Sequence, residues 1–204
     1  MAPFAVADEV SCSSDSTAVN CGLTINGDDT APINPKITLS SGDAALYLNS
    51  ANNIINMTGD ILTTGTSVEG IGFGGGATNN TITLDGDITT TCASGGGSNC
   101  FGINIGGDSN TLTMIGDVDV AGSTARGLWI SGDSNTVSLT GDITSSNDRG
   151  IIFYGDNNTV TTVGNILAGA KGIDHYGATH NTITHTGNIT TTLVNGFGAK
   201  NAND

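Results

Sequence analysis

The sequence Asn-Thr-[Ile/Val/Leu]-Thr-x-x-Gly-[Asp/Asn]-[Ile/Val] returns six times, broken by Ile54 and Asn56 in the first copy and by Ser138 in the fourth, with its Gly at Gly59, Gly86, Gly116, Gly141, Gly164 and Gly187. The spacings are 27, 30, 25, 23 and 23 residues. A repeat of this length, rich in strand formers and without a helical period, specifies a solenoid of stacked coils. Between copies lies a second signature, Gly-[Ile/Leu/Phe]-x-[Ile/Phe], at Gly70–Phe73, Gly102–Ile105, Gly127–Ile130, Gly150–Phe153 and Gly172–His175, with a degenerate copy at Gly196–Ala199. Each coil of about 23–30 residues therefore holds three short extended arcs.

Alternation within the arcs sets their facing. In the first arc Val137 and Leu139 point one way, and Thr136 and Ser138 the other. Stacking the copies aligns three apolar columns. They are Ile55, Ile82, Leu112, Val137, Val160 and Ile183; Ile61, Ile88, Val118, Ile143, Ile166 and Ile189; and Ile71, Ile103, Leu128, Ile151, Ile173 and Phe197. Three columns converging on one interior predict an all-β, right-handed, single-stranded parallel β-helix, with coils roughly 4.8 Å apart and no helix. The Gly positions allow corners where a Cβ would clash. Asn53, Asn80, Asn110, Asn135, Asn158 and Asn181 form a corner column, assigned here to structure because Asn tolerates left-handed backbone and bonds its own chain.

Coil length varies at one corner, between the second and third arcs, where the gap runs from 14 residues down to 6. The longest insertion holds Cys92 and Cys100 around the tip Ser94–Asn99. Cys12 and Cys21 bracket another short polar loop. Pairs Cys12–Cys21 and Cys92–Cys100 are expected as disulfides, since nothing resembles Cys-x-x-Cys zinc spacing. Disulfides imply an oxidising, extracytoplasmic location. Ala5-x-Ala7 reads as a signal-peptide cleavage pattern with the mature start at Asp8. The expected organisation is residues 1–7 as residual leader, 8–36 as a cap with the first irregular coil, and 37–204 as regular β-helix. The C-terminal residues stop where another Asn-Thr arc would begin, so a longer solenoid is expected. A net charge of −14 with five basic residues argues against nucleic acid and anionic membrane partners.

Repeats such as NTVSLTGDIT and NTITLDGDIT, in an acidic chain rich in Gly, Asn and Thr, resemble the passenger domains of Gram-negative autotransporters. The resemblance spans about residues 20–204. It implies display on, or release from, the cell surface and action as an adhesin, through self-association or host-surface binding. The two Cys pairs depart from the near-absence of Cys usual in those passengers, and other secreted β-helix proteins remain open.

Several residue sets are candidates for function. Arg126, Arg149 and Lys171 each precede the signature Gly, so on consecutive coils they stack. They either balance acids such as Asp148 or cradle a carboxylate or sulfate of a glycan. Trp129 is expected to face outward beside exposed Ile152 and Tyr154, which gives a carbohydrate-binding alternative. For self-association the candidates are the Thr columns, with Thr111, Thr113, Thr136, Thr159 and Thr161, and the corner column Asp108, Asp133 and Asp156. The Thr-x-Thr array also resembles the face of insect-type ice-binding solenoids. A second acidic column is Asp60, Asp87, Asp117 and Asp142. Stacked carboxylates could hold Ca²⁺, although turn amides are their ordinary partners and the nonapeptide calcium repeat is absent. No cofactor or resident metal is otherwise expected. His175 and His185 fall at inward positions, with His180 between them; a metal site is conceivable there, and slack core packing is the competing reading. No catalytic constellation emerges. The pectin-degrading β-helix enzymes combine clustered Asp with Gly-His-Gly and Arg-Ile-Lys, and here Asp28-Asp29 has neither partner motif. The expectation is therefore a non-enzymatic adhesin, with a polysaccharide lyase-like activity the weaker alternative.

Overall fold

The computed structural model describes residues 44–93 and 99–193 in full, and elsewhere the strands Glu9–Cys12, Leu23–Ile25, Thr30–Ile33, Lys36–Leu39 and Phe197–Lys200. Among the described residues there is no helix. The chain forms a parallel β-helix of three sheets, one for each arc of the repeat. The first-arc sheet contains Thr30–Ile33, Ile54–Thr58, Thr81–Asp85, Thr111–Ile115, Thr136–Thr140, Thr159–Val163 and Thr182–Thr186. The second-arc sheet runs from Glu9–Cys12 to Ile189–Thr191, and the third-arc sheet from Leu23–Ile25 to Phe197–Lys200. Every strand pairs in parallel with the corresponding strand of the next coil, so sequence neighbours never pair. The strands within 8–36 already take places in the same three sheets.

The apolar columns line the interior in the expected register. Ile55, Ile82, Leu112, Val137 and Val160 are buried and pair in series, as do Ile61, Ile88, Val118, Ile143 and Ile166. Each fully buried branched side chain contributes about 1.5–3 kcal/mol. Stacking of Ile, Leu and Val on one another lets every coil bury its apolar edge against the next. Inward polar residues find partners: Thr63 donates to Thr90 Oγ1 at 3.0 Å, and Ser145 donates to the Ala125 carbonyl at 2.6 Å.

The third column needs one correction. Ile71, Ile103, Leu128, Ile151 and Ile173 align, but the residue opposite Ile173 is Ala199, and Phe197 lies opposite Lys171. The degenerate copy is thus read two residues too early. Gly198, whose carbonyl lies against Gly172, takes the signature Gly position instead of Gly196. The sequence offers two Gly residues two apart, and only the pairing chooses between them.

The corners explain the invariant letters of the repeat. Gly116 has φ +141° in the corner between the first and second arcs, and a Cβ there would run into the Gly86 carbonyl of the preceding coil. In the corner between the third and first arcs, the ladder Asn is buried from Asn53 to Asn158 but does not itself adopt left-handed backbone. The preceding residue does: Asn52, Asn79, Ser109, Ser134, Asn157 and His180 have φ between 55° and 63°. The ladder Asn instead works through its side chain. Asn110 N–H donates to Asn135 Oδ1 at 2.8 Å and Asn135 N–H donates to Asn158 Oδ1 at 2.7 Å, and the series runs from Asn53 to Asn181. Each Asn so satisfies a corner amide that the sheets leave unpaired.

Candidate functional site

The three sheets present three outer faces, and the candidate residues divide among them. On the first-arc face the Thr columns stand outward in strict register: Thr111 opposite Thr136, then Thr159; Thr113 opposite Ser138, then Thr161. All are at least partly exposed. Among the described residues none of these Thr hydroxyls is held in a side-chain hydrogen bond. A third outward column carries Ile115 and Val163, exposed at 57% and 45%, and Ile54 at the start of the first column is 49% exposed. Of the outward residues between Ile54 and Thr186, Asp85 alone carries a charge.

Acidic ladders frame this neutral face. Asp108, Asp133 and Asp156 lie in the corner that leads into the first-arc strands, and Asp60, Asp87, Asp117 and Asp142 in the corner that leads out. In both ladders the carboxylate accepts the backbone N–H of the next coil. Asp133 N–H donates to Asp108 Oδ1 at 2.8 Å, Asp156 N–H to Asp133 Oδ1 at 2.7 Å, and Thr179 N–H to Asp156 Oδ1 at 2.6 Å. The other series runs Asp87 to Asp60, Asp117 to Asp87 and Asp142 to Asp117 at 3.0, 2.8 and 2.7 Å. Hydrogen bonds from the Thr179 backbone and side chain, with His180 nearby, hold the Asp156 carboxyl below the usual carboxylate range. These bonds are the turn-amide role. Among the described residues no group of three or more His, Cys, Asp or Glu converges as metal ligands.

The third-arc outer face is built differently. Arg126, Arg149 and Lys171 interleave with two carboxylates. Arg126 Nε lies 2.8 Å from Asp148, Arg149 bridges Asp148 and Asp174 at 2.7 Å each, and Lys171 Nζ lies 2.8 Å from Asp174. Alternating signs remove the repulsion that a bare column of cations would suffer. An external anion would have to displace Asp148 or Asp174. Asp174 is buried at 2% exposure. Burial pulls the Arg149 guanidinium down, but the Asp174 hydrogen bond and the charges of Asp148 and Asp174 outweigh it and raise its pKa.

Aromatic rings continue this layer. Arg126 lies over the Trp129 ring at 4.6 Å, Tyr154 stacks on Trp129 at 4.4 Å, and Tyr176 lies 4.9 Å from Tyr154. Phe101 meets Trp129 edge-on at 5.3 Å. Trp129 faces outward as expected but is only half-exposed, its ring engaged by its neighbours. Ile152, expected to be exposed, is fully buried. Its outward position lies in register between Trp129 and Asp174, under the layer they and the ion pairs form. Period-two alternation marks Ile152 as outward; it carries no information about what covers that side.

The second-arc face holds a shallow cavity of about 250 Å³ lined by Thr89, Thr90, Thr91, Asp119, Val120, Ala121, Thr144 and Ser146. Beside it, at the corner of variable length, Cys92 and Cys100 form a disulfide with Cα atoms 6.0 Å apart, both residues buried. The tip residues 94–98 lie outside the described residues, as does the expected Cys12–Cys21 pairing.

The histidines do not converge. His175 stacks on Phe153 at 4.7 Å in the interior, and burial lowers its pKa against the opposing charge of Asp174. His185 Nδ1 lies 2.8 Å from Thr162 Oγ1, its Nε2 has no partner among the described residues, and His180 is exposed. Three residues of the third-arc layer escaped the sequence reading: Asp174, Phe101 and Tyr176. Asp174 could have been found, since a charged residue at the x of Gly-[Ile/Leu/Phe]-x-[Ile/Phe] lies beside the Arg149 and Lys171 column. No family model, curated protein or solved structure matches the chain.

Proposed function

We propose that the protein is an extracellular adhesin of the autotransporter-passenger type that self-associates through its first-arc face. One observation carries the reading: in a chain of net charge −14, the first-arc face is regular, almost uncharged, exposed and lined with unengaged Thr hydroxyls. Two like copies repel over most of their surface and can approach closely there. The longest insertion enters at the opposite corner, and the corner leading into the face varies by no more than two residues. The buried disulfide Cys92–Cys100 supports an oxidising compartment.

The size of the face sets the strength of the contact. Strands of five residues and six coils give about 16 by 29 Å, or roughly 1,000 Å² for two facing copies. That falls below the roughly 1,200–2,000 Å² of stable interfaces. A single contact is therefore weak, and adhesion arises from many such contacts between displayed copies. Sedimentation velocity on the purified chain tests this. Reversible, concentration-dependent association is expected, and Thr136→Glu with Thr159→Glu should abolish it without unfolding the chain. Association that survives the double variant would remove the assignment to this face.

A further inference from the structure

Resting on the self-association reading, we propose that contact between first-arc faces is gated by ionic strength, because the acidic ladders on both sides of the face must approach their counterparts. The rows are Asp108, Asp133 and Asp156 on one side and Asp60, Asp87, Asp117 and Asp142 on the other. Two copies facing one another can be related by a two-fold axis along the solenoid or along the strands. The first places each acidic row opposite the other kind, the second opposite its own kind. Acid meets acid in both. Facing sheets pack about 10 Å apart. That is about one Debye length at 0.1 M salt and a third of one at 0.01 M. The repulsion is therefore felt in dilute salt and largely screened at physiological ionic strength. The sign is diagnostic, since a charge-driven contact weakens with salt while this one tightens.

The ladder supplies its own control. Each carboxylate is needed as an acceptor for the next coil's amide, and an amide oxygen meets that need. Asn165 already stands in the second ladder and accepts the Asn188 N–H at 3.2 Å. Replacing Asp108, Asp133 and Asp156 by Asn should keep the corner bonds and remove one charged row.

The experiment is sedimentation velocity of wild type and of Asp108→Asn/Asp133→Asn/Asp156→Asn at 10, 150 and 300 mM NaCl, with thermal unfolding to confirm the fold. The dimerisation Kd of the wild type should fall at least tenfold between 10 and 300 mM. The variant should associate at 10 mM markedly more tightly than wild type and lose much of the salt dependence. Asp60→Asn/Asp87→Asn/Asp117→Asn, on the opposite rim, should do the same and covers the case in which the first variant fails to fold. Association that is insensitive to salt, or weakened by it, overturns the gating and leaves self-association standing. Absence of association at every salt concentration overturns both. MgCl₂ at matched ionic strength should behave as NaCl does; association that only the divalent cation promotes would replace screening with cation bridging.

Discussion

The outer faces of the first-arc and third-arc sheets share one strand spacing and one register, yet they end in opposite conditions. The first carries two columns of mostly Thr, with Ser138 among them, beside a third that varies, and nothing in the described residues covers it. The third changes at every coil, from Glu69 to Phe101 to Arg126 along one row, and is closed over by its own side chains. Stacked Thr can bond one another, as Thr63 and Thr90 do inside the solenoid, but among the described residues the outward Thr hydroxyls of this face make no such bond. The third-arc row, with charges and rings of different kinds, pairs internally. The first face is left available, and the third is engaged with itself.

The largest test of that contrast is Asp174→Ala. Asp174 is buried on the outside of the sheet and holds Arg149 and Lys171. Its removal leaves two cations without their shared carboxylate and should cost about 3–5 kcal/mol of stability, measured by denaturant unfolding. Self-association should be unchanged. A cost under about 1 kcal/mol would mean that the external layer is an ordinary solvated surface.

The architecture was legible because its causes are local and periodic. Gly116 can only be Gly, the inward Ile and Val keep a period of two, and the Asn ladder marks every coil. What covers an outward side chain has no such period. Ile152 and Trp129 both read as outward, and both are; their burial depends on Asp174, Arg126 and Tyr154 from neighbouring coils. Phe197 shows the same limit in strand register, where Gly196 and Gly198 compete in sequence and pairing selects the second. The neutrality of the first-arc face was readable from the Thr columns alone. Its two flanking acidic columns were legible as well, since Asp133 and Asp142 bracket the same arc in sequence; that their carboxylates accept the next coil's amides came from the structure.

Trp129→Ala is the next smaller perturbation. The ring is half-buried, so truncation loses its contacts with Phe101, Tyr154 and Arg126 and should cost about 2–3 kcal/mol. A loss of that size without any change in glycan binding would make Trp129 a packing residue. Near-wild-type stability would reopen it as a contact. His175 probes the inward side of the same third-arc sheet. Its folded-state pKa is lowered by burial, so the native state binds its proton less readily than the unfolded chain. Stability from this term is fully present above the unfolded value near 6.5 and falls as pH drops from there towards the folded pKa. His175→Phe should flatten that part of the pH profile. Asp174→Ala should steepen it, because the opposing carboxylate is gone.

The smallest expected change in stability belongs to the first-arc face. Thr136→Val with Thr159→Val exchanges exposed hydroxyls for methyls at positions where both residues favour a strand. Neither hydroxyl is held in a side-chain bond among the described residues, so stability should move by no more than about 0.5 kcal/mol. Self-association should weaken nonetheless. A two-fold contact uses each substituted position twice, and each hydroxyl bond across it contributes about 1 kcal/mol. The same pair of substitutions on the third-arc face, where side chains are spent on one another, would be read in the unfolding curve. Here it should be read in the sedimentation boundary. Association that is unchanged or tightened by Val would assign the contact to the methyls, with Ile115 and Val163, and would take the hydroxyls out of the mechanism.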